Sequence, residues 1–326
     1  MLRFHLLAAA VLAAAAPGAL AQGKNWHAFP IQLTTLGSYV PELESTLVVM
    51  TKHVTDTANE DRTIANVAWQ ALAFSGMGSG MRGGRHKKPL KTLVRWLARQ
   101  QTSFHEQPDS PRPSLTDSIL LSLTFARSRI ENDYKVLIRY IRWSLEMWLA
   151  DAGKNNTPPF SGDETVLLAL LAQALGETQF KDEHQQVLAL ATRASEATPF
   201  GKTRRADAVH YCVARAAGKS HQPELKAATC WPGNELADPL HTWLAAFSLR
   251  SLPPAVRAPL QDRCKQLIDK REKDHLWPAA GNFDRLTTSA MLVAAIGMTA
   301  SNTSPPRAAP AQEKLQKSDP WNGPIK

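Results

Sequence analysis

Acidic residues recur at the predicted starts of the most apolar helices of this chain. They fall within the first turn or two of these helices, at Asp117, Asp163, Glu164, Asp207, Asp238 and Asp284. Carboxylates in that position accept hydrogen bonds from free N–H groups and complement the helix dipole. If the helix starts converge, the same residues would instead form an acidic ring that holds a metal or transfers protons. The candidate catalytic residues are Asp117, Asp163, Asp207 and Asp238, and both interpretations stay open.

A metal site is the most specific chemistry in this set. Asp207 and His210 are three positions apart and therefore share a helix face, and His241 lies on the next apolar helix. Cys212 is an alternative to His210. Three such ligands with an open fourth position would suit catalytic zinc. A single His on an apolar helix usually forms only a hydrogen bond, so no cofactor is expected and zinc is the alternative.

Two tryptophans are candidate ligand-binding residues. Trp69 and Trp243 fall on apolar helices and could line a cavity for an isoprenoid or a sugar ring. Packing within the core is the simpler explanation. The chain contains no Gly-rich phosphate loop after a strand, no nucleophile elbow and no paired-cysteine zinc motif.

Helices of two kinds carry these residues. One kind is apolar on most faces and must be buried, with centres near residues 69, 121, 170, 211, 244 and 292. The other is amphipathic, with centres near residues 45, 95, 141, 189, 226 and 263. In the amphipathic helix near residue 95, Leu90 and Leu93 share one face and Arg95 and Arg99 lie mainly on the other.

Start signals accompany several of these helices. Ser114 is placed to cap the helix near residue 121, and Ser161 with Glu164 forms a capping box before the helix near residue 170. The alternation of buried and half-exposed helices, repeated every 33 to 52 residues or so, indicates a helical repeat array. The chain begins on an outer helix and ends on an inner one, so the two ends can pair. We predict an all-α fold, an α/α toroid of about six inner and six outer helices.

Three segments resemble a known family. They are Trp277, Gly281 and Asp284–Ala290; Leu97–Gln101 with Ser103–Phe104; and Gly162–Val166. The chain from about residue 35 to 300 resembles the squalene cyclase and protein prenyltransferase superfamily, whose fold is an α/α toroid. The resemblance implies isoprenoid or lipid chemistry in a central cavity.

The departures from the family pattern concern its catalytic residues. The Asp-x-Asp-Asp run of the cyclases and the Asp-rich diphosphate motifs of terpene synthases are absent. Asp238–Thr242 is similar to the segment in which the prenyltransferase His binds zinc, here His241. The companion Asp-x-Cys motif would fall on Asp207-Ala208-Val209, so Val209 replaces the thiolate.

The N-terminus has the pattern of a signal peptide. A basic start at Arg3 precedes the apolar run Leu6–Ala16, and Ala19-Leu20-Ala21 matches a cleavage site before Gln22. We therefore predict a signal peptide over 1–21, a toroid domain over 22–300 and a disordered C-terminal tail over 301–326. The mature protein is expected to be exported, periplasmic or secreted, with no transmembrane segment.

Net charge bears on the kinds of partner that the protein could bind, and cysteine content bears on its disulfide bonds. The net charge is +9, and basic residues concentrate between Arg82 and Arg99, a pattern that we interpret as a solvated loop and helix face. Export argues against nucleic acid as a partner. Cys212, Cys230 and Cys264 allow one disulfide and one thiol in an oxidising compartment, and the pairing stays open.

Three functions from different classes fit these observations. The first is an exported, non-catalytic toroid that binds a small apolar ligand or a protein partner. The second is an enzyme similar to prenyltransferases or terpenoid cyclases. The third is a carbohydrate-active enzyme, which needs two carboxylates across a groove, with Asp117 and Asp163, or Asp207 and Asp238, as the pairs. The missing catalytic motifs favour the first.

Overall fold

The architecture comes from a computed structural model of the chain. The structure describes residues 40–56, 62–80, 84–106, 113–128, 134–154, 160–176, 180–197, 202–217, 234–249, 262–264 and 266–299. The chain divides into two units between Thr34 and Thr35, and all of these residues belong to the second. The predicted signal peptide, the tail and the helix near residue 226 lie outside the described residues.

The part of the chain that the structure describes is helical, as predicted. A 3₁₀ turn at Pro41–Leu43 leads into α1, and the α-helices whose bounds are described follow in this order: α1 Glu44–Asp56, α2 Ile64–Gly76, α3 Lys87–Glu106, α4 Leu115–Ser128, α5 Tyr134–Lys154, α6 Gly162–Gly176, α7 Lys181–Glu196, α8 Arg204–Ala216, α9 Pro239–Leu249 and α10 Arg285–Thr299. Residues 262–264 and 266–269 are helical as well. Within these ranges there is no strand, only an isolated bridge between Ala280 and Phe283.

The capping signals act as the sequence predicts. The hydroxyl of Ser114 accepts a hydrogen bond from the N–H of Asp117 at 3.1 Å, at the start of α4. The hydroxyl of Ser161 accepts from the N–H of Glu164, and the Glu164 carboxylate accepts from the N–H of Ser161. This reciprocal pair satisfies two of the N–H groups that a helix start leaves open, so it fixes where α6 begins.

Burial separates the two kinds of helix. From Val67 to Gly76 every residue of α2 is buried, and α4 and α6 are buried nearly throughout. On α3, Leu90, Leu93 and Leu97 are buried while Arg95 and Arg99 are exposed, which confirms the predicted amphipathic pattern.

The buried helices contact one another in chain order. The contacts run from α2 to α4, from α4 to α6, from α6 to α8, from α8 to α9 and from α9 to α10, and α10 packs against α2. The amphipathic helices lie against them, with α3 on α2, α5 on α4 and α7 on α6.

The α2–α10 contact is close because two glycines meet there. A Cβ on Gly76 would lie 3.1 Å from the Ala294 Cα, and a Cβ on Gly297 would lie only 2.7 Å from the Gly76 carbonyl oxygen. The absence of side chains therefore lets these two backbones touch.

The turn before α10 is anchored by Trp277. This side chain is fully buried, and its indole N–H donates to the Leu267 carbonyl at 2.8 Å. Its backbone N–H donates to the Ser289 hydroxyl at 3.0 Å. Gly281 has a φ of 58°, a left-handed conformation that glycine adopts at little cost, so the turn needs this residue.

Candidate functional site

The carboxylates at the starts of α4 and α6 are engaged in local structure. Asp117 accepts from the Ser114 hydroxyl at 2.8 Å. Glu164, besides capping α6, accepts from the Thr116 hydroxyl at 2.8 Å. This second bond joins the N-terminal ends of α4 and α6, so Glu164 positions two helices as well as capping one.

Arg205 joins three helix starts. Its guanidinium binds Asp163 through two hydrogen bonds, of which the one from Nε measures 2.7 Å, and it binds Asp238 at 2.9 Å. Asp238 also caps α9 by accepting from the N–H of His241 at 2.9 Å. We call Asp163, Arg205 and Asp238 the arginine cluster.

The two carboxylates of the cluster raise the pKa of Arg205. Burial alone would lower this pKa, but the hydrogen bond and the charge of Asp163, together with the charge of Asp238, outweigh the effect of burial. The guanidinium therefore stays charged.

A pocket of about 370 Å³ lies beside the arginine cluster. Its lining includes Gly162, Lys202, Thr203 and Val209. The N-terminal ends of α6 and α8 face this pocket, but their capping hydroxyls already accept backbone hydrogen bonds, from Glu164 to Ser161 and from Ala206 to Thr203. The capping groups at these two helix starts therefore already have hydrogen-bond partners within the protein.

The predicted metal ligands are not gathered into a binding group. Across the described ranges, no three His, Cys, Asp or Glu side chains are placed to hold a metal ion. His241 and Cys212 are buried, and Asp207 and His210 are half-buried. With Val209 in place of a thiolate, this donor set does not fit the zinc site that the resemblance implies. Zinc at Asp207, His210 and His241 stays a prediction, which metal analysis of protein purified without chelator would test.

The candidate aromatic residues contact each other. The rings of Trp69 on α2 and Trp243 on α9 pack edge to face, with centroids 4.9 Å apart, and each side chain is 3 % exposed. These two helices are not neighbours in the order of contacts given above. The pair therefore fills space between the buried helices, and its role in ligand binding stays a prediction.

The cysteines are in their thiol form in the described structure. Neither Cys212 nor Cys264 forms a disulfide, and both are buried. Burial raises the pKa of the Cys264 thiol to about 11, against the opposing effect of its 2.9 Å contact with the Thr299 hydroxyl. Cys230 lies outside the described residues.

A larger pocket, of about 560 Å³, lies where α1, α2, α3 and α10 meet. Two amide side chains one helical turn apart on α2, Asn66 and Gln70, belong to its lining, and we call it the amide pocket. Asn66 donates to Asp284 at 3.0 Å and accepts from Thr287 at 2.9 Å. Asp284 also caps α10 by accepting from the N–H of Thr287 at 2.7 Å. Of the candidate carboxylates, only Asp284 lines this pocket.

Gln70 was not among the residues predicted from sequence. It is 3 % exposed, lines the amide pocket, and its Oε1 is buried without a hydrogen-bond partner. One pattern in the sequence could have identified Gln70. Asn66 and Gln70 are two amides four positions apart in an otherwise apolar helix, and this spacing places both on one face.

An exposed ion-pair network lies before α10. Arg285 binds Glu272 and Asp274 at 2.5 and 2.8 Å, and its hydrogen bond to Asp274 holds the pKa of that carboxyl below its usual range. All three side chains are largely solvated, so the network adds little to stability.

Comparison with known proteins finds no match: no family model, no curated protein and no solved structure is significantly similar to the chain. Of the described helices, none combines the length and the apolar character needed to cross a membrane.

Proposed function

We propose that this protein is an exported, non-catalytic α/α toroid that binds a small ligand or a protein partner. The observation that carries the non-catalytic role is the engagement of five predicted acids. Asp163, Glu164, Asp238 and Asp284 each cap a helix or bind a group on a neighbouring helix, and Asp117 accepts from the Ser114 hydroxyl at the start of its own helix. A catalytic acid or base needs a reactive atom within hydrogen-bond reach. The hydrogen bonds found for these carboxylates are made to groups of the scaffold.

The toroid is supported by the order of helix contacts. Each buried helix contacts the next along the chain, and the contact of α10 with α2 completes the series. The Asn66–Asp284 hydrogen bond joins residues 218 positions apart at this junction. An open repeat array would leave the first and last buried helices without this contact.

Hydrogen-exchange mass spectrometry tests the closure. Asn66→Ala removes the bond to Asp284, and in a closed ring it raises amide exchange in both α2 and α10. In an open array the increase would be confined to α2 and its neighbours in sequence. Asn66 is half-buried at the helix start, so the substitution should leave the fold intact.

Export is supported by the pattern of Arg3, Leu6–Ala16 and Ala19–Ala21. Mass spectrometry of the protein recovered from its native host tests it. A mature N-terminus at Gln22 is the expected result, and an intact Met1 in a cell-associated protein would contradict it.

Turnover assays test the non-catalytic role. The protein is incubated with an isoprenoid diphosphate and with a panel of oligosaccharides, and products are sought by mass spectrometry. No product is expected. The proposal would be overturned by turnover that disappears in folded Asp163→Asn but persists in Asp182→Asn, a change at an exposed residue in the first turn of α7.

A further inference from the structure

The face of α3 that points away from the core carries a row of cations. We call this set of side chains the basic row: Lys87, Lys88, Lys91, Arg95 and Arg99. Lys91 is half-buried and the other four are exposed. Because Lys91, Arg95 and Arg99 follow one another at intervals of four residues, they lie along one side of the helix. From Lys87 to Arg99 the helix rises by about 18 Å.

The basic row is not neutralised within the protein. No side-chain hydrogen bond or ion pair of its five members is found among the residues that the structure describes. The sequence of α3 contains a single carboxylate, Glu106, at its last position. Pairing with α1 ends just before the helix, where Arg85 lies 3.5 Å from Glu44.

The row also opposes the electrostatics of its own helix. Lys87 and Lys88 lie in the first turn, where the helix dipole disfavours positive charge. Like charges four positions apart, such as Lys91 and Arg95, repel each other. A solvated helix face commonly alternates both signs of charge instead. Unopposed Lys and Arg residues on one face are typical of a surface that binds a polyanion.

The surroundings of the row do not fit a protein interface or a bilayer. Leu93, Trp96 and Leu97 of α3 are buried in the core, and the exposed large hydrophobic residues of the described chain, Val48 and Leu149, lie on other helices. Protein interfaces have an apolar centre that is poor in Lys. A helix that lies on a bilayer inserts its apolar face, and in α3 that face packs against the protein.

The spacing of the charges does not fit nucleic acid either. Single strands stack their bases on aromatic side chains, and Trp96, the aromatic residue within the span of the row, is buried. A duplex carries one charge per 1.7 Å or so of its axis, against one cation for each helical turn of about 5.4 Å along the row. A polysaccharide with one carboxylate on each sugar ring spaces its charges by the length of one ring, which is close to a helical turn.

We propose that the basic row binds an acidic polysaccharide, a linear chain with one carboxylate on each sugar ring. The inference goes beyond the binding of a small ligand or protein partner proposed above and does not depend on it. Each carboxylate pairs with a Lys or Arg of the row. At one ring for each helical turn, the row spans about three to four rings.

Calorimetric titration of the full-length protein with galacturonate oligomers tests the ligand class. The probes are the dimer, the tetramer and the hexamer, with a neutral galactose tetramer as the control. The tetramer should bind about fivefold more tightly than the dimer, because it adds two ion pairs along the row. The hexamer should add little more, and the neutral chain should not bind. Absence of tetramer binding, or equal affinity for the neutral chain, would overturn the proposal.

Salt and two competing polyanions decide between classes of partner. Affinity for the galacturonate tetramer should fall at least about fivefold between 0.01 M and 0.15 M salt, because these contacts are exposed to screening. An oligothymidylate hexamer, and vesicles of equal parts phosphatidylglycerol and phosphatidylcholine, should bind more weakly than the galacturonate hexamer. Tighter binding of the oligonucleotide would reassign the row to nucleic acid, and tighter binding of the vesicles would reassign it to a bilayer. Either result would overturn the polysaccharide assignment.

A double substitution locates the site. Lys91→Gln combined with Arg95→Gln removes two neighbouring charges from the row and should weaken tetramer binding about fivefold. The melting temperature should stay equal or rise, because the substitution also removes a repulsion within α3. Full affinity in this variant would overturn the placement of the site.

The matched control removes the same charge elsewhere. Lys181 is the exposed first residue of α7, and Lys202 is exposed before α8. Lys181→Gln combined with Lys202→Gln should leave tetramer affinity unchanged. An equal loss of affinity in both double variants would show that binding follows net charge alone, which would overturn the assignment to the basic row.

Discussion

The arginine cluster and the amide pocket differ in how far their polar side chains are paired within the protein. In the cluster, Arg205 binds both Asp163 and Asp238. In the pocket, Gln70 is buried with an unpartnered oxygen and Asp56 stands at a helix end that disfavours it. Groups that break local rules without an internal compensation are expected at functional sites. The acids at the helix starts are thus bound by groups of the scaffold, whereas the buried amide of Gln70 keeps an oxygen without a hydrogen-bond partner.

Breaking the α2–α10 contact should have the largest effect. In Gly297→Ala the new Cβ would lie 2.7 Å from the Gly76 carbonyl and 3.0 Å from the Met77 sulfur, so α10 must move away from α2. We expect a loss of about 2–3 kcal/mol in the free energy of unfolding.

Chemical denaturation measures this loss in the free energy of unfolding. Gly162→Ala, beside the arginine cluster, is the matched control, because its Cβ would meet only a Val209 methyl at an ordinary 3.7 Å. Equal stability of Gly297→Ala and the control would show that the helices are not packed as described.

Removing the guanidinium of the arginine cluster should have the next largest effect. Arg205→Met leaves Asp163 and Asp238 facing each other without a counter-charge. Because all three side chains are 30–40 % exposed, solvent limits the loss to about 1–2 kcal/mol.

Chemical denaturation measures this loss of stability. Lys202→Met is the control, since Lys202 is exposed at the edge of the same region. Equal stability of Arg205→Met and the control would show that the Arg205 guanidinium does not hold the three helix starts together.

Replacing a buried amide by an apolar side chain should raise the free energy of unfolding, whereas the two changes above lower it. Gln101→Met replaces two unpartnered polar atoms by apolar ones of similar volume and should raise the free energy of unfolding by about 1 kcal/mol. Gln70→Met should give a similar gain, because Gln70 also has a buried oxygen without a hydrogen-bond partner. Denaturation curves measure both effects, and a loss of stability in either variant would show that its amide has a partner in the folded protein.

A pH dependence at His86 should be the smallest effect. Burial against Phe74, at a ring distance of 5.5 Å, lowers the pKa of His86 below its ordinary value, and Glu44 only partly opposes this. The unfolded chain therefore binds this proton more readily than the folded one. The contribution of neutral, buried His86 to the free energy of unfolding is present above a pH of about 6.5. It is lost as the pH falls through the pKa that His86 has in the folded protein.

Melting temperatures between pH 7 and pH 5 measure this dependence, and His86→Leu should flatten it. His86 lies outside both regions and does not line either pocket. The same pH dependence in His86→Leu and in the native protein would show that it comes from another group.

Local signals predicted the helices of the described residues and where several of them begin. Ser161 with Glu164 fixed the start of α6, and the spacing of Leu90 and Leu93 identified the buried face of α3, because capping and helical periodicity depend on neighbouring residues. The candidate acids at helix starts were located in the same way. Their partners were not, since the Asp163–Arg205 pair spans 42 positions.

The amide pocket depends on contacts that no local pattern encodes. Asp56 and Gln70 lie 14 positions apart in sequence, and Asp284 comes from the far end of the chain. Gln70 resembles any tolerated polar residue in an apolar helix until the surrounding helices are in place. Its missing hydrogen bond is a property of the tertiary structure alone.

The edge-to-face contact of Trp69 and Trp243 gives the protein an optical reporter that needs no label. Two indoles with centroids 4.9 Å apart and planes at 87° couple their electronic transitions. Such coupling produces two circular-dichroism bands of opposite sign. Both bands vanish when the rings separate. Because α2 and α9 are distant in sequence, the loss of this signal during unfolding would mark the moment at which the helices part, independently of the loss of helicity.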